Sequence, residues 1–245
     1  MTTALITGAA HGLGASMAEH AARHGYKVGV LDLKLEDAAA VADRIGGIAL
    51  AADVTDPAAV EAALDKLGDT PDLLINNAGI LRTGPLMDHS VDDFRLVTDV
   101  NLNSVFIVAQ AAARRMKDNG GGCIINLASI NAINPSTLCG AYACAKAGVI
   151  TLTQQMAMEW GEYNIRVNSI APGFIDSGMS APYYENQRIR ELREAAVPLK
   201  RLGAADDIAE CALFLASEKA AYITGENIAV DGGVIRSVLM QLPRD

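Results

Sequence analysis

Aromatic residues are scarce in this chain of 245 residues, which has one Trp, six Tyr and four Phe. Any sizeable core must therefore be built from Ala, Val, Ile and Leu, and the 51% hydrophobic content can supply it. Positive charge is also short, with 20 Lys and Arg against 29 Asp and Glu and a formal net charge of −9. That balance argues against a nucleic-acid or anionic-membrane surface, since both need basic patches. No apolar run reads as long enough to cross a bilayer. The opening stretch "MTTALITGAAHGLG" lacks a basic region and is punctuated by glycine, so it does not read as a signal peptide. Cys123, Cys139, Cys144 and Cys211 form no CxxC pair and have no His at metal-ligand spacing. They are expected to be reduced thiols of a cytoplasmic protein without a metal site, and Cys139 and Cys144 to be small packing residues.

What the chain does have is regular alternation. Short runs rich in Val, Ile and Leu ("TALITG", "KVGVLDL", "GIALAADV", "DLLINNAG", "GCIINLAS", "IRVNSIAPG" and "NIAVDGG") are separated by helical segments. Seven such strands predict an α/β fold: a doubly wound parallel sheet with helices on both faces and right-handed crossovers. There is no internal repeat, low-complexity tract or linker, so residues 1–245 read as a single domain. One irregular segment, at about 176–203, reads as an insertion over the substrate.

The polar residues gather where the strands end: Thr7-Gly8, Asp32, Asp53, Asn76-Asn77-Ala78-Gly79, Ser129 and Pro172-Gly173. In an open parallel sheet these carboxyl ends share one edge, and ligands bind there at the strand-order switch. The turn "TGAAHGLG" places Gly8, Gly12 and Gly14 at intervals of four and two, which is not GxGxxG. It still suits a tight turn, a close backbone approach to a pyrophosphate and a helix N-terminus open to anions. Asp32 closes the second strand, where an acid accepts hydrogen bonds from an adenosine ribose. In "GAYACAKAGV", Tyr142 and Lys146 stand four positions apart among small residues, on one helix face. A cation beside a phenol favours the phenolate, so the pair suits general acid–base work on an alcohol or ketone.

With these motifs the sequence resembles the short-chain dehydrogenase/reductase family, in its shorter single-domain branch, over essentially its whole length. The resemblance rests on Thr7-Gly8-x-x-x-Gly12-x-Gly14, Asp53, "NNAG" at 76–79, Asn101, Ser129, Tyr142-x-x-x-Lys146 and Pro172-Gly173. It implies a Rossmann fold and an NAD-dependent oxidoreductase acting on CH–OH groups. It also implies roles for single residues. Tyr142 would exchange a proton with the substrate oxygen. Lys146 would bind the nicotinamide ribose and lower the Tyr142 pKa. Ser129 would hydrogen-bond the substrate oxygen, and Asn101 would hold a relay water. Cofactor contacts would come from Gly8, His11, Gly12, Leu13 and Gly14, and from Asp32 and Leu33. Asp53 and Val54 would hold the adenine, while Asn77, Ala78 and Gly79 would line the cleft. Pro172, Gly173, Ile175 and Ser177 would complete it, with the Ile175 backbone on the carboxamide. His11 stands where NADP-preferring members often carry Arg or Lys, and Leu33 follows Asp32, so the implied cofactor is NAD.

Substrate contacts are expected from Ser129, Asn131, Cys139, Tyr142, Met179 and Tyr183, with Arg82 and Asn134 beside them. This partly polar set suits a small hydroxy or keto compound, a sugar-derived alcohol or an aromatic secondary alcohol. Arg188, Arg190 and Arg193 in "ENQRIRELREAA" read as an ordinary solvated helix face. The alternatives are a 3-oxoacyl-thioester reductase and, from another class, an NAD-binding sensor or scaffold without turnover. The helical stretches "NSVFIVAQAAARRM" and "AGVITLTQQMAMEW" are apolar around more than one stripe, which points to a homotetramer. The tail "VIRSVLMQLPRD" is expected on a neighbouring subunit.

Overall fold

The protein is described by a computed structural model covering residues 2–237 and 240. Of the tail expected on a neighbouring subunit, residues 238, 239 and 241–245 therefore lie outside the described residues. The seven strands are β1 (Thr3–Thr7), β2 (Lys27–Asp32), β3 (Ile48–Ala51), β4 (Leu73–Asn76), β5 (Gly122–Leu127), β6 (Ile165–Pro172) and β7 (Asn227–Val230). All are parallel, in the order β3-β2-β1-β4-β5-β6-β7. The order reverses between β1 and β4, which opens a crevice at their carboxyl ends.

Between the strands run α1 (Gly12–Arg23), α2 (Leu35–Ile45), α3 (Pro57–Leu67), α4 (Val91–Thr98), α5 (Ser104–Asp118) and α6 (Tyr142–Trp160). After β6 come α7 (Ala181–Tyr184), α8 (Gln187–Ala196) and α9 (Ala205–Ala216). The start of α3 shows the local rules at work. Asp56 accepts a hydrogen bond from the Ala58 N–H at 2.9 Å, Pro57 follows it, and Gly68 ends the helix in the left-handed region.

Strand side chains alternate between two cores. Ala4, Ile6, Val28, Val30, Leu73 and Ile75 pack with Met17 of α1, Val41 of α2 and Leu213 of α9. Leu5, Leu31, Leu74 and Ile124 point the other way, onto Leu64 of α3, Val108 of α5 and Met156 of α6. Burial on both faces is why these strands read as continuous apolar runs. Each fully buried aliphatic side chain contributes roughly 1.5–3 kcal/mol relative to exposure.

Two expectations need correction. The segment after β6 is not irregular: α7 and α8 occupy about half of it, and the Asn186 side chain caps α8 by accepting from the Arg188 and Ile189 N–H groups. Its Glu, Arg, Leu and Ala content carries good helix propensity that the Pro and Ser residues nearby obscured. Residues 91–118 form one continuous 28-residue helical stretch that is long and apolar enough to cross a membrane by length and composition. Half of its most apolar window is buried within the protein, and Val105, Val108, Ala109, Ala112 and Met116 pack inward. It is a core helix.

A buried polar chain crosses β4, β5 and α6. The Asn76 amide donates to Asn126 Oδ1 at 2.9 Å, and the Asn126 amide donates to Thr153 Oγ1 at 2.9 Å. Both Asn126 and Thr153 are fully buried. Asn126→Ala would leave a donor and an acceptor without partners, so it should cost about 2–4 kcal/mol. Thermal unfolding should show a Tm drop on the order of 5–15 °C; a change of under a degree would show that the chain is not holding the layers together.

Candidate active site

The crevice over the strand ends is a cleft of about 1380 Å³. Its floor begins with the turn after β1. There the Asn77 side-chain amide donates to Thr7 O at 3.0 Å and to Gly8 O at 2.9 Å. In return the Asn77 and Ala78 N–H groups donate to Thr7 Oγ1, at 3.0 and 3.1 Å. The end of β4 thus clamps the glycine turn. Gly14 permits the closeness, because a Cβ there would lie 2.1 Å from Gly8 O. Gly14 does not line the cleft; its part is packing, whereas Gly8, His11, Gly12 and Leu13 face the open space. The α1 N-terminus has no side-chain cap and no acid in its first turn, so its leading N–H groups are not claimed by side chains.

At the ends of β2 and β3 stand the only acids that line the cleft among the described residues, Asp32 and Asp53. Asp32 accepts from the Ala10 N–H at 3.0 Å and from the Leu33 N–H at 2.8 Å, which ties its carboxylate to the glycine turn. Leu33 is exposed beside it, and Val54 is buried next to Asp53. A side-chain hydrogen bond from Thr55, aided by the Thr55 N–H, holds the Asp53 carboxyl below its usual range. Ala78 and Gly79 also line the cleft.

Tyr142, Lys146 and Ser129 meet further along the same wall. Ser129 follows β5, and its hydroxyl accepts from the Asn131 N–H at 3.1 Å. Tyr142 opens α6 with Lys146 one turn on; the Lys146 ammonium lies 5.8 Å from the Tyr142 ring centroid. Burial pushes the Tyr142 phenol above its ordinary value, hydrogen bonding with Ser129 pulls it down, and the nearby Cys139 thiol pushes it up. Lys146 is buried, donates to Leu127 O at 2.6 Å, and is brought down by that burial to about 8. The expectation that Lys146 lowers the Tyr142 pKa is therefore not met in this structure. Lys146 has no part in the shift, and its ammonium is directed at a backbone carbonyl.

Asn101 stands behind the wall. It is fully buried in a π-helical turn, Asp99–Asn103, between α4 and α5. Its side chain accepts from the Ile80 N–H and donates to Ile80 O, both at 2.7 Å, so it braces the strand-end loop and does not line the cleft. Pro172, Gly173, Ile175 and Ser177 form the wall beyond β6. The expected substrate residues Asn131, Asn134, Cys139, Met179, Tyr183 and Arg82 all line the same space.

Several lining residues were missed in the sequence. Val234 and Ile235 enter from the turn after β7, where Asp231 accepts from the Gly233 and Ile235 N–H groups at 2.8 Å each. The "DGG" ending the last strand was the available signal. Arg193 also lines the cleft, contrary to the expectation of a solvated helix face for the three arginines. Arg188 is exposed as expected, and Arg190 is bound in an ion pair with Asp176.

The residues present fit a nicotinamide dinucleotide. An uncapped helix N-terminus suits the pyrophosphate, Asp32 suits a ribose, and the buried ammonium, phenol and hydroxyl suit the reacting end. A family profile described as "Enoyl-(Acyl carrier protein) reductase" matches residues 8–235. The D-threitol dehydrogenase of Mycolicibacterium smegmatis is 36% identical over 238 residues, covering 94% of this chain and 91% of that protein. The 3-oxoacyl-[acyl-carrier-protein] reductase of Escherichia coli is 40% identical over 237 residues, covering 94% of this chain and 96% of the reductase. Among solved structures, the gluconate 5-dehydrogenase of Burkholderia cenocepacia, in complex with NADP and tartrate, is 33% identical with a TM-score of 0.92. That match covers 97% of this chain and 96% of the other.

Proposed function

The chain belongs to the short-chain dehydrogenase/reductase family, and from that membership we propose that it is an NAD-dependent oxidoreductase interconverting a small polar secondary alcohol and its ketone. The observation that carries this is the convergence of Ser129, Tyr142 and Lys146 on one cleft with the glycine turn and Asp32. A nicotinamide dinucleotide bound there would supply the hydride acceptor or donor and, when oxidised, a positive charge. The chain's own part is to place and protonate. Ser129 would hold the substrate oxygen, and Tyr142 would give it or take from it a proton at the phenol oxygen. Lys146 would hold a ribose hydroxyl, its position set by the bond to Leu127 O. Asp32 would accept from the adenosine ribose, and Asp53 with Val54 would flank the adenine. Asn101 would act through the loop it braces at Ile80.

The D-threitol dehydrogenase likeness supports a polyol or related hydroxy compound, as does the polar lining by Asn131 and Asn134. A second reading, reduction of a 3-oxoacyl thioester, is favoured by the 40% identity to the Escherichia coli reductase. A screen of polyols and of acetoacetyl thioesters with both nucleotides separates them; reduced-nicotinamide absorbance changing with the thioester alone would overturn the first reading. A non-catalytic sensor would show no absorbance change with any of these or with hydroxy acids.

We also propose a homotetramer. Phe94 on α4, Phe106 on α5 and Met158 on α6 are exposed large apolar side chains, as interface residues would be. Light scattering at micromolar concentration should give four times the chain mass, and a monomer would defeat the proposal.

A further inference from the structure

Arg193 of α8 is half-buried on the cleft wall, with its guanidinium 4.9 Å from the Phe174 ring centroid, 5.5 Å from Tyr183 and 5.3 Å from Tyr184. One donor reaches Tyr184 Oη at 3.0 Å. Among the described residues no carboxylate pairs with it. Its neighbours differ: Arg190 pairs with Asp176 and Glu194, and Arg201 pairs with Asp207 through two bonds. In a chain of net charge −9 a half-buried arginine lacking an acid partner is unusual, because desolvating a charge without one is costly. The aromatic faces offset part of that cost and hold the group still. They leave most of its five N–H donors free of protein acceptors.

Its place narrows what those donors meet. Phe174 lies between Gly173 and Ile175, the stretch expected at the nicotinamide end, and Tyr183 lines the cleft with Met179. The lining acids, Asp32 and Asp53, stand at the ends of β2 and β3, so the Arg193 end of the cleft has a cation and no anion among the described residues. Lys146 is engaged with Leu127 O and Arg82 lies 3.7 Å from Asp93, which leaves a single free cation there among the described residues. The planar fork can take a carboxylate through two parallel N–H···O bonds, and one guanidinium balances the single charge of a carboxylate but not both charges of a phosphate dianion.

Resting on the oxidoreductase reading above, we propose that the substrate is a hydroxy acid, or the matching keto acid, and that Arg193 binds its carboxylate and sets this specificity. The test uses matched pairs in which a carboxylate replaces a CH₂OH group: lactate and propane-1,2-diol, threonate and threitol, gluconate and sorbitol. With NAD, at least one acid should exceed its neutral partner in kcat/KM. Arg193→Gln should lower kcat/KM for that acid by about 10- to 100-fold, mainly through KM, and leave the neutral partner within about twofold. Arg193→Lys should recover part of the loss. Equal loss on acid and neutral partner, or a rise in the KM for NAD instead, would overturn the proposal.

Thermal shift without nucleotide gives an independent reading. The acids should stabilise the wild-type chain more than their neutral partners do, and should not so stabilise Arg193→Gln. That pattern with no nucleotide reduction by any compound would sink the oxidoreductase reading while the anion site stood. If no acid in the series is either preferred in turnover or selectively bound, the anion site itself is wrong.

Discussion

Tyr142→Phe should lower turnover by about 10²- to 10⁴-fold while NAD binding stays near normal. The ring is kept, so packing at the start of α6 survives; only the transferable proton is lost. The pH dependence should carry the same signature. Burial raises the Tyr142 pKa, so the phenol is the form present near neutrality and ketone reduction finds its proton donor ready. Alcohol oxidation needs the phenolate, so its rate should rise as pH increases toward the phenol's pKa, and ketone reduction should fall over the same range. Rates measured in both directions across pH test this. Near-normal turnover of Tyr142→Phe, or pH profiles unchanged by it, would remove Tyr142 from the proton-transfer role.

For the nucleotide, NAD should exceed NADP by two orders of magnitude or more in kcat/KM, about 2.7 kcal/mol. NADP carries a phosphate on the ribose that Asp32 is expected to face. Two like charges about 4 Å apart cost roughly 4 kcal/mol at an effective dielectric of 20, before solvent and counterions reduce it. Leu33 and His11 supply no fixed positive charge, and Lys34, the next residue, does not line the cleft. The Burkholderia relative holds NADP, which makes the measurement discriminating. Asp32→Ala should narrow the gap chiefly by weakening NAD. It also removes the acceptor for the Ala10 N–H, so Asp32→Asn, which keeps an acceptor, separates the charge from the support of the turn. Equal kcat/KM for both nucleotides in the unaltered protein would withdraw the assignment.

The strands and their order of use were open to reading because their causes are local. A run such as "TALITG" is apolar on both faces wherever it sits, and a glycine turn followed by a helix marks its carboxyl end. A parallel sheet then puts Thr7, Asp32, Asn77, Ser129 and Pro172 on one edge by topology alone. The contacts of Tyr142 and Lys146 were not readable in that way. Their spacing says they share a helix face, but not that Lys146 donates one of its hydrogen bonds to Leu127 O, nor that desolvation dominates the phenol.

Other features depended on partners far away in the chain. Asn126 reads as one polar residue in a strand, and only the packing of β4 and α6 around it makes it the centre of a buried chain. Asn101 matches a motif, yet folding commits its side chain to Ile80. Arg188, Arg190 and Arg193 share a charge and a helix. One meets solvent, one meets Asp176, and one meets three rings and the cleft. Periodicity and strand-end chemistry are written in neighbouring residues, so they fixed the sheet and its ligand edge in advance. The state of each polar group is an energy difference between water and whatever the folded chain brings to it, and that could be decided only by the tertiary contacts.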